Sequence, residues 1–119
     1  MPIYVDNVRI PYRGMLMSHM TADTLDEIHE MADRLEIFRK YFQYPPKTRF
    51  PHYDIPVDRR DRALALGAHD VDRRTSLHYG AKLGMEWIHT QNEIIRPERL
   101  IAGYERTLIR TQNYAIKIA

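Results

Sequence analysis

The sequence predicts an α/β fold in which helices pack on a small sheet and a helical extension follows. Over residues 1–72, short segments rich in β-branched and aromatic residues alternate with segments of helical periodicity, in the order β-β-α-(β or α)-β-α-β. Residues 73–119 carry apolar side chains at helical spacing, which predicts helices packed on the core or used for oligomerisation. We expect the two parts to form a single structural domain.

Composition narrows the class of protein. A chain of 119 residues with 44% hydrophobic and 29% charged residues is typical of one ordinary globular domain. It has no cysteine, which excludes a disulfide framework, a thiolate nucleophile and a cysteine-based zinc site. The net charge is only +2 and acids and bases are interleaved, so nucleic acid is weakly supported as a partner. Asp6 and Arg9 interrupt the first apolar stretch, so we expect no signal peptide and no membrane partner. The absence of cysteine fits a reducing cytoplasm.

Two strands are predicted near the N-terminus. Residues 3–5 are strand formers, and residues 15–20 alternate so that His19 lies on the face of the odd-numbered residues. The segment between them contains Pro11 and Gly14 and predicts a loop.

The first helix has the clearest start. Residues 24–27, Thr-Leu-Asp-Glu, match a capping box in which the Thr24 hydroxyl accepts from the amide three residues on and Glu27 reaches back. Apolar residues follow at helical spacing: Leu25, Ile28, Ala32 and Leu35. Residues 37–44 are ambiguous, because their aromatic residues have helical spacing while aromatic content favours a strand.

A second strand-helix unit follows. Residues 52–55 predict a short strand, and Asp58 can cap a helix that runs to Leu66. Gly67 lies where a left-handed C-terminal cap is expected, and residues 68–71 predict another strand.

The last third predicts two helices and a tail. Thr75 can open a helix, although Gly80 and Gly84 weaken it, and Pro97 suits the first turn of the last helix. Residues 114–118 alternate apolar and polar side chains, which is typical of an edge strand. The apolar faces of these helices also make a homodimer an attractive hypothesis.

His19, His52 and Asp54 are the candidate catalytic or metal-binding residues. Alternation places His52 and Asp54 on one face of their strand, and His19 can join them if the two strands are neighbours. Two imidazoles and a carboxylate suit a divalent metal such as Zn²⁺, Mn²⁺ or Fe²⁺; alternatively, Asp54 orients a histidine acting as a general base. A third interpretation is purely structural, with both residues hydrogen-bonded locally. If the first two strands form an antiparallel hairpin, Asp6 lies at the end opposite His19 and cannot share its site.

Arginines provide candidate ligand-binding residues at two places. Arg9 and Arg13 flank Tyr12 in the first predicted loop, where they could clamp a phosphate or carboxylate while the ring stacks on a base or sugar. Arg59 and Arg60 open the helix after the His-Tyr-Asp strand, where backbone amides favour anions. The alternative is a solvated face on which these arginines pair with neighbouring acids.

A series of short blocks carries a family resemblance. In order these are Tyr4-Val5-Asp6, Met17-Ser18-His19-Met20, Ala22-Asp23, His29-Glu30-Met31-Ala32, His52-Tyr53-Asp54, Arg62-Ala63 and Gly67-Ala68. Over about residues 3–71 the chain resembles an uncharacterised family of phages and bacteria, the domain of unknown function 4031. A glycine commonly follows the leucine at the end of the first helix in that family, where this chain has Glu36. The resemblance implies a phage-infected or bacterial cytoplasm and no particular activity.

Two hypotheses about function follow from these residues. In the first, a small accessory protein binds, or also processes, a phosphorylated or nucleotide-like anionic ligand at a His/Asp/Arg site. In the second, an interaction protein without catalytic activity docks on a host or phage macromolecule. No P-loop, dinucleotide fingerprint or serine elbow is present in the sequence to favour a named class of enzyme.

Overall fold

The computed structural model describes residues 2–94 and 96–115 and confirms the α/β class and the helical C-terminal part. The strands of its five-stranded sheet are β1 (Ile3–Asp6), β2 (Ile10–Tyr12), β3 (Met15–Ala22), β4 (Tyr53–Pro56) and β5 (His69–Val71). The helices are α1 (Leu25–Arg34), α2 (Val57–Ala65), α3 (Arg73–His89) and α4 (Pro97–Arg110), with 3-10 turns at Arg39–Tyr41 and Gln112–Tyr114. Among the described helices, none is long and apolar enough to cross a membrane.

Strand β3 is the centre of the sheet. Its first half pairs with β2 and its second half with β1, both antiparallel. Met20 pairs with Val5 of β1 and also with Tyr53 of β4, so β4 occupies the opposite edge of β3. Strand β5 adds to β1 in parallel. The long central strand β3 therefore brings β1 and β4, which are far apart in the sequence, to its two edges.

Strands β2 and β3 form a hairpin where a loop was predicted around Pro11 and Gly14. The hairpin turns at Arg13 and Gly14, whose φ angles are 47° and 79°. Positive φ at both central residues is the type I′ geometry, which matches the twist of the flanking strands. Pro11 is tolerated because β2 pairs only with β3 and its other edge needs no ladder hydrogen bond.

The two faces of the sheet differ in chemistry. One face packs against α1 and α2 and buries the main apolar cluster, whose strand residues are Ile3, Val5, Met20, Ala22, Tyr53 and Ile55. The other face carries Tyr4, Thr21, His19 and Asp54, of which Tyr4 pairs with Thr21 and His19 with Asp54 across the strands. Tyr79 of α3 stacks on Tyr4 with ring centroids 3.7 Å apart, so α3 covers part of this polar face.

Helix starts agree with the sequence at two of four positions. Thr24 caps α1 by accepting from the Glu27 amide at 3.2 Å, and its hydroxyl also donates to the Glu27 carboxylate at 2.7 Å. Pro97 begins α4 as predicted. Asp58, however, lies inside the first turn of α2, and Asp72 rather than Thr75 caps α3, accepting from the Thr75 amide at 2.8 Å.

The connecting segments resolve the ambiguous predictions. Residues 37–44 form neither a helix nor a regular strand but a 3-10 turn, followed by an isolated bridge between Gln43 and His52. Gly67 is left-handed, with φ 106°, as predicted for the end of α2. Tyr114 belongs to a 3-10 turn, while residues 116–118 of the predicted edge strand lie outside the described residues.

Replacing Glu36 by glycine should stabilise the protein. Glu36 follows the C-cap of α1 with φ 59°, and the Ile37 amide donates to the Ala32 carbonyl at 2.8 Å, the pattern of a Schellman cap. A left-handed non-glycine residue costs about 1 kcal/mol, while the exposed Arg62–Glu36 pair at 3.8 Å adds little. We expect Glu36→Gly to raise the free energy of unfolding by about 1 kcal/mol in urea. The matched Glu30→Gly change, inside α1, should lower it by about as much; equal losses in both variants would contradict the assignment.

Replacing Gly84 by alanine should loosen the contact between α3 and α4. A Cβ at Gly84 would collide with Cζ of Tyr104, whose ring is fully buried and whose hydroxyl donates to the Arg49 carbonyl. Overpacking of this kind costs about 1–3 kcal/mol. A Cβ at Gly103 meets only Arg106 Nη2 at 3.8 Å, so Gly103→Ala is the matched control and should be neutral or stabilising in thermal melting.

Candidate functional site

Three side chains converge where β3 and β4 pair. His19 of β3 lies directly opposite Asp54 of β4, and His52 immediately precedes β4 on the same face. Asp54 Oδ1 is 3.2 Å from His52 Nε2 and 3.7 Å from His19 Nε2. One ligand atom from each residue lies within 4.8 Å of the other two, so the described part of the chain can offer a metal ion two imidazoles and a carboxylate.

Asp6 joins the site, contrary to the expectation that an antiparallel pairing would separate it from His19. Because β2 occupies the first half of β3, β1 pairs with the second half, and Asp6 comes to lie beside His19. Asp6 Oδ2 is 2.7 Å from His19 Nδ1, and Asp6 Oδ1 accepts from the His19 amide at 2.9 Å. The Asp6 side chain is fully buried, so these hydrogen bonds fix the orientation of the imidazole.

His52 and Asp54 are also fixed in orientation by hydrogen bonds to neighbouring groups. His52 Nδ1 is 2.6 Å from the Phe50 carbonyl oxygen, and Gln43 Nε2 donates to Asp54 Oδ2 at 2.6 Å. Partial burial raises the pKa of the Asp54 carboxyl, but hydrogen bonds from His52 and Gln43 and the nearby imidazoles outweigh it and leave the pKa below its usual value. Asp54 is therefore ionised at neutral pH.

The layer beneath the site is apolar and rigid. Tyr53, between His52 and Asp54, points into the core and its hydroxyl lies 2.7 Å from His29 Nδ1. Burial raises the pKa of Tyr53 to about 12 and lowers the pKa of His29, so both are neutral at pH 7. This pair anchors β4 from the opposite face of the sheet.

A cleft of about 100 Å³ opens beside the two histidines. It lies between the start of α3, strand β3 and residues 48–52, and its polar lining residues are His19, Thr21, Thr48, His52, Arg73 and Ser76. This volume is enough for a few water molecules or for a group of similar size. Since α3 forms one wall, the predicted C-terminal extension contributes directly to the cleft.

Two polar groups in the lining of the cleft, the Thr21 hydroxyl and the Arg73 guanidinium, lack a partner among the described residues. Thr21 Oγ1 is buried and finds no hydrogen-bond partner among the described residues. Arg73, exposed at the first turn of α3, has no ion pair within residues 2–94 and 96–115. Among the described residues, this hydroxyl and this guanidinium are therefore both available to a group that enters the cleft.

The arginines predicted from sequence are placed elsewhere. Arg60 is buried, donates from Nε to the Asp6 carbonyl oxygen at 2.7 Å and pairs with Asp70, so it supports the sheet instead of facing a ligand. Arg59 pairs with Asp58 at 2.8 Å, which matches the self-paired alternative.

The predicted clamp of Arg9, Tyr12 and Arg13 lies on the β2–β3 hairpin, away from the cleft lining. Arg9 donates to Ser18 Oγ at 3.2 Å, and the Arg13 guanidinium lies 5.3 Å from the Tyr12 ring centroid. The three residues are not brought together with His19 and His52.

Sequence reasoning missed Asp6, Gln43, Thr21 and Arg73 as parts of the site. Asp6 ends strand β1 and Arg73 follows strand β5, and a polar residue at a strand end is a signal that the sequence does show. Only the register of β1 on β3 and the docking of α3, however, bring these two residues near His19. Gln43 reaches Asp54 through an isolated bridge that has no sequence signature.

The fold and the site together define a small α/β protein with a His-His-Asp cluster beside a cleft whose lining includes Arg73. Residues 3–83 match the family described as "Protein of unknown function (DUF4031)", and the chain belongs to this family. The match spans the sheet, α1, α2 and the part of α3 that lines the cleft. No curated protein and no solved structure matches the chain.

Removing Arg60 should destabilise the protein far more than removing its neighbour. Arg60→Ala leaves the Asp6 carbonyl unpaired in a buried place and should lower the free energy of unfolding by about 2–4 kcal/mol. Arg59→Ala breaks one solvent-exposed pair and should change it by less than about 0.5 kcal/mol. Urea unfolding of both variants measures the difference, and similar values would rule out the structural role of Arg60.

Proposed function

We propose that the chain binds a phosphorylated, nucleotide-like anionic ligand at the cleft formed by His19, His52 and Arg73. The observation that carries the proposal lies in the lining of one cleft: within the part of the chain that the structure describes, Arg73 has no ion pair and the buried Thr21 hydroxyl has no hydrogen-bond partner. A guanidinium gives a phosphate two parallel hydrogen bonds, and a hydroxyl can add a third.

The dimensions of the cleft indicate how such a ligand binds. A volume of about 100 Å³ admits the phosphate group and leaves the remainder of the ligand at the surface. Recognition then rests on the charged group, so affinity should be similar for ligands that share a terminal phosphate and differ in base. We place this activity in a phage-infected or bacterial cytoplasm.

A thermal-melting panel tests the proposal. Inorganic phosphate, nucleoside monophosphates and nucleoside diphosphates are added with and without divalent metal ions. A ligand present at about one hundred times its dissociation constant should add about 2.7 kcal/mol to the free energy of unfolding. Uncharged nucleosides should have no effect, because the group that enters the cleft is the phosphate.

Arg73 and Arg74 offer a matched pair of variants. Arg73 lines the cleft, whereas Arg74 donates to the Tyr114 hydroxyl at 2.8 Å outside it. A charge-assisted hydrogen bond is worth about 1.5–3 kcal/mol, so Arg73→Ala should weaken phosphate binding about 10- to 100-fold in calorimetry. Arg74→Ala should leave it unchanged. Equal effects of both variants would show that binding follows overall charge and not the cleft.

One observation favours the second candidate function, an interaction protein that docks on a host or phage macromolecule. The β2–β3 hairpin exposes apolar side chains, with Ile10, Tyr12, Met15 and Leu16 each between 42% and 52% accessible. Contiguous exposed apolar residues often mark protein interaction sites. If no ligand of the panel shifts the melting temperature, docking of a macromolecule on this hairpin becomes the better proposal for the function. A homodimer formed through the hairpin or through the C-terminal helices would be the other possibility.

A further inference from the structure

We infer that His19, His52 and Asp54 form a divalent metal centre whose open coordination position faces the cleft. The inference deepens the proposed function, because the metal would hold the ligand's anionic oxygen. The first observation that supports it is the hydrogen bond that Nδ1 of each imidazole makes. His19 Nδ1 is 2.7 Å from the carboxylate of the buried Asp6, and His52 Nδ1 is 2.6 Å from the Phe50 carbonyl oxygen.

Each Nδ1 atom thus faces a hydrogen-bond acceptor, which orients each imidazole with its Nε2 atom towards Asp54. The two Nε2 atoms lie 3.7 Å and 3.2 Å from the same oxygen, Asp54 Oδ1. The fold therefore brings one potential metal-binding atom of each residue to a common point.

The spacing fits a metal ion. Bonds of 2.0–2.2 Å in tetrahedral geometry place neighbouring ligand atoms about 3.4 Å apart. The two separations from Asp54 Oδ1, at 3.2 Å and 3.7 Å, lie near that value, and all three ligand atoms lie within 4.8 Å of one another.

Each ligand also has the outer support that metal sites require. Asp6 behind His19 gives the carboxylate–histidine arrangement that fixes the tautomer of metal-binding imidazoles. Gln43 holds Asp54 Oδ2 and thereby directs Oδ1 towards the histidines. Arg60, through the Asp6 carbonyl, ties this support to α2.

The ligand set indicates which metals fit and what completes the shell. Two imidazoles and one carboxylate suit Zn²⁺, Mn²⁺ or Fe²⁺ better than Mg²⁺ or Ca²⁺, which prefer oxygen ligands alone. Three protein ligands leave at least one position for an exchangeable group, as in catalytic and not structural zinc sites. Since both histidines line the cleft that contains Arg73, that group can be an anionic oxygen held by the metal and the guanidinium together.

Metal titration of the chelator-treated, full-length protein tests the inference without any ligand. Calorimetry should show that one Zn²⁺ ion binds per chain. Co²⁺ bound at the same site should give the visible absorption band that is typical of a cobalt ion with a low coordination number. His52→Ala and Asp54→Asn should each weaken binding more than 100-fold. Asp6→Asn, which alters only the outer support, should weaken it about 10- to 100-fold. His89→Gln, an exposed histidine outside the site, is the control and should change nothing.

Nitrogen NMR of the histidines gives a second, independent measurement. Zn²⁺ should shift the Nε2 signals of both His19 and His52. Absence of stoichiometric binding, binding that survives both ligand variants, or Nε2 signals that Zn²⁺ leaves unmoved would each overturn the metal centre. Circular dichroism of the metal-free variants shows whether they fold, and a variant that does not fold is replaced by His19→Gln, for which the same loss is expected.

The two proposals fail in different ways. Stoichiometric metal binding without any phosphate binding would leave the metal centre standing and reject the proposed ligand. Phosphate binding that depends on Arg73 but is identical with and without metal would keep the ligand site and reject the metal as its anchor.

Discussion

The buried carboxylate of Asp6 is the constraint on which the rest of the site depends. It lies at the end of β1 with no solvent exposure, and a charge in that position is tolerated only when its oxygens are hydrogen-bonded. The amide and imidazole of His19 satisfy it, and Arg60 satisfies the carbonyl of the same residue. The register of β1 on β3 and the orientation of one imidazole are therefore specified by the same set of contacts. A one-residue slip of β1 would turn Asp6 to the opposite face of the sheet, away from His19.

That register follows from the small hairpin that precedes it. Strand β3 is eight residues long, and β2 occupies its first half through a two-residue turn at Arg13 and Gly14. Only the second half remains for β1, which brings Asp6 to His19 instead of to the far end of the strand. The hairpin is thus needed to build the site even though neither β2 nor the turn at Arg13 and Gly14 lines the cleft. Its exposed apolar side chains are consistent with a further role at the surface.

Much of the site follows from short-range rules, and the remainder does not. Alternation along β3 and β4 is local, so the shared face of His19, His52 and Asp54 could be predicted from sequence. Helix caps at Thr24 and Gly67 are local as well. The roles of Asp6, Arg60 and Arg73 depend on which segments become neighbours, and that is decided by burial and strand order over the whole chain. Arg60 shows the difference clearly: a position at a helix start predicts an anion-binding arginine, whereas packing turns it inward towards a carbonyl.

The residues of the site come from two parts of the fold, the sheet and helix α3. The three converging ligand atoms come from the sheet, where cross-strand pairing and the core below hold them. Arg73 comes from α3, whose position depends on the stacking of Tyr79 on Tyr4 and on the close approach of Phe50 to Gly80, where a Cβ would lie 3.2 Å away. Under the two proposals above, metal affinity depends mainly on the sheet, and selection of an anionic partner depends mainly on how α3 docks. Sequence changes in the last third of the chain would then alter what the cleft accepts while the His-His-Asp cluster stays intact.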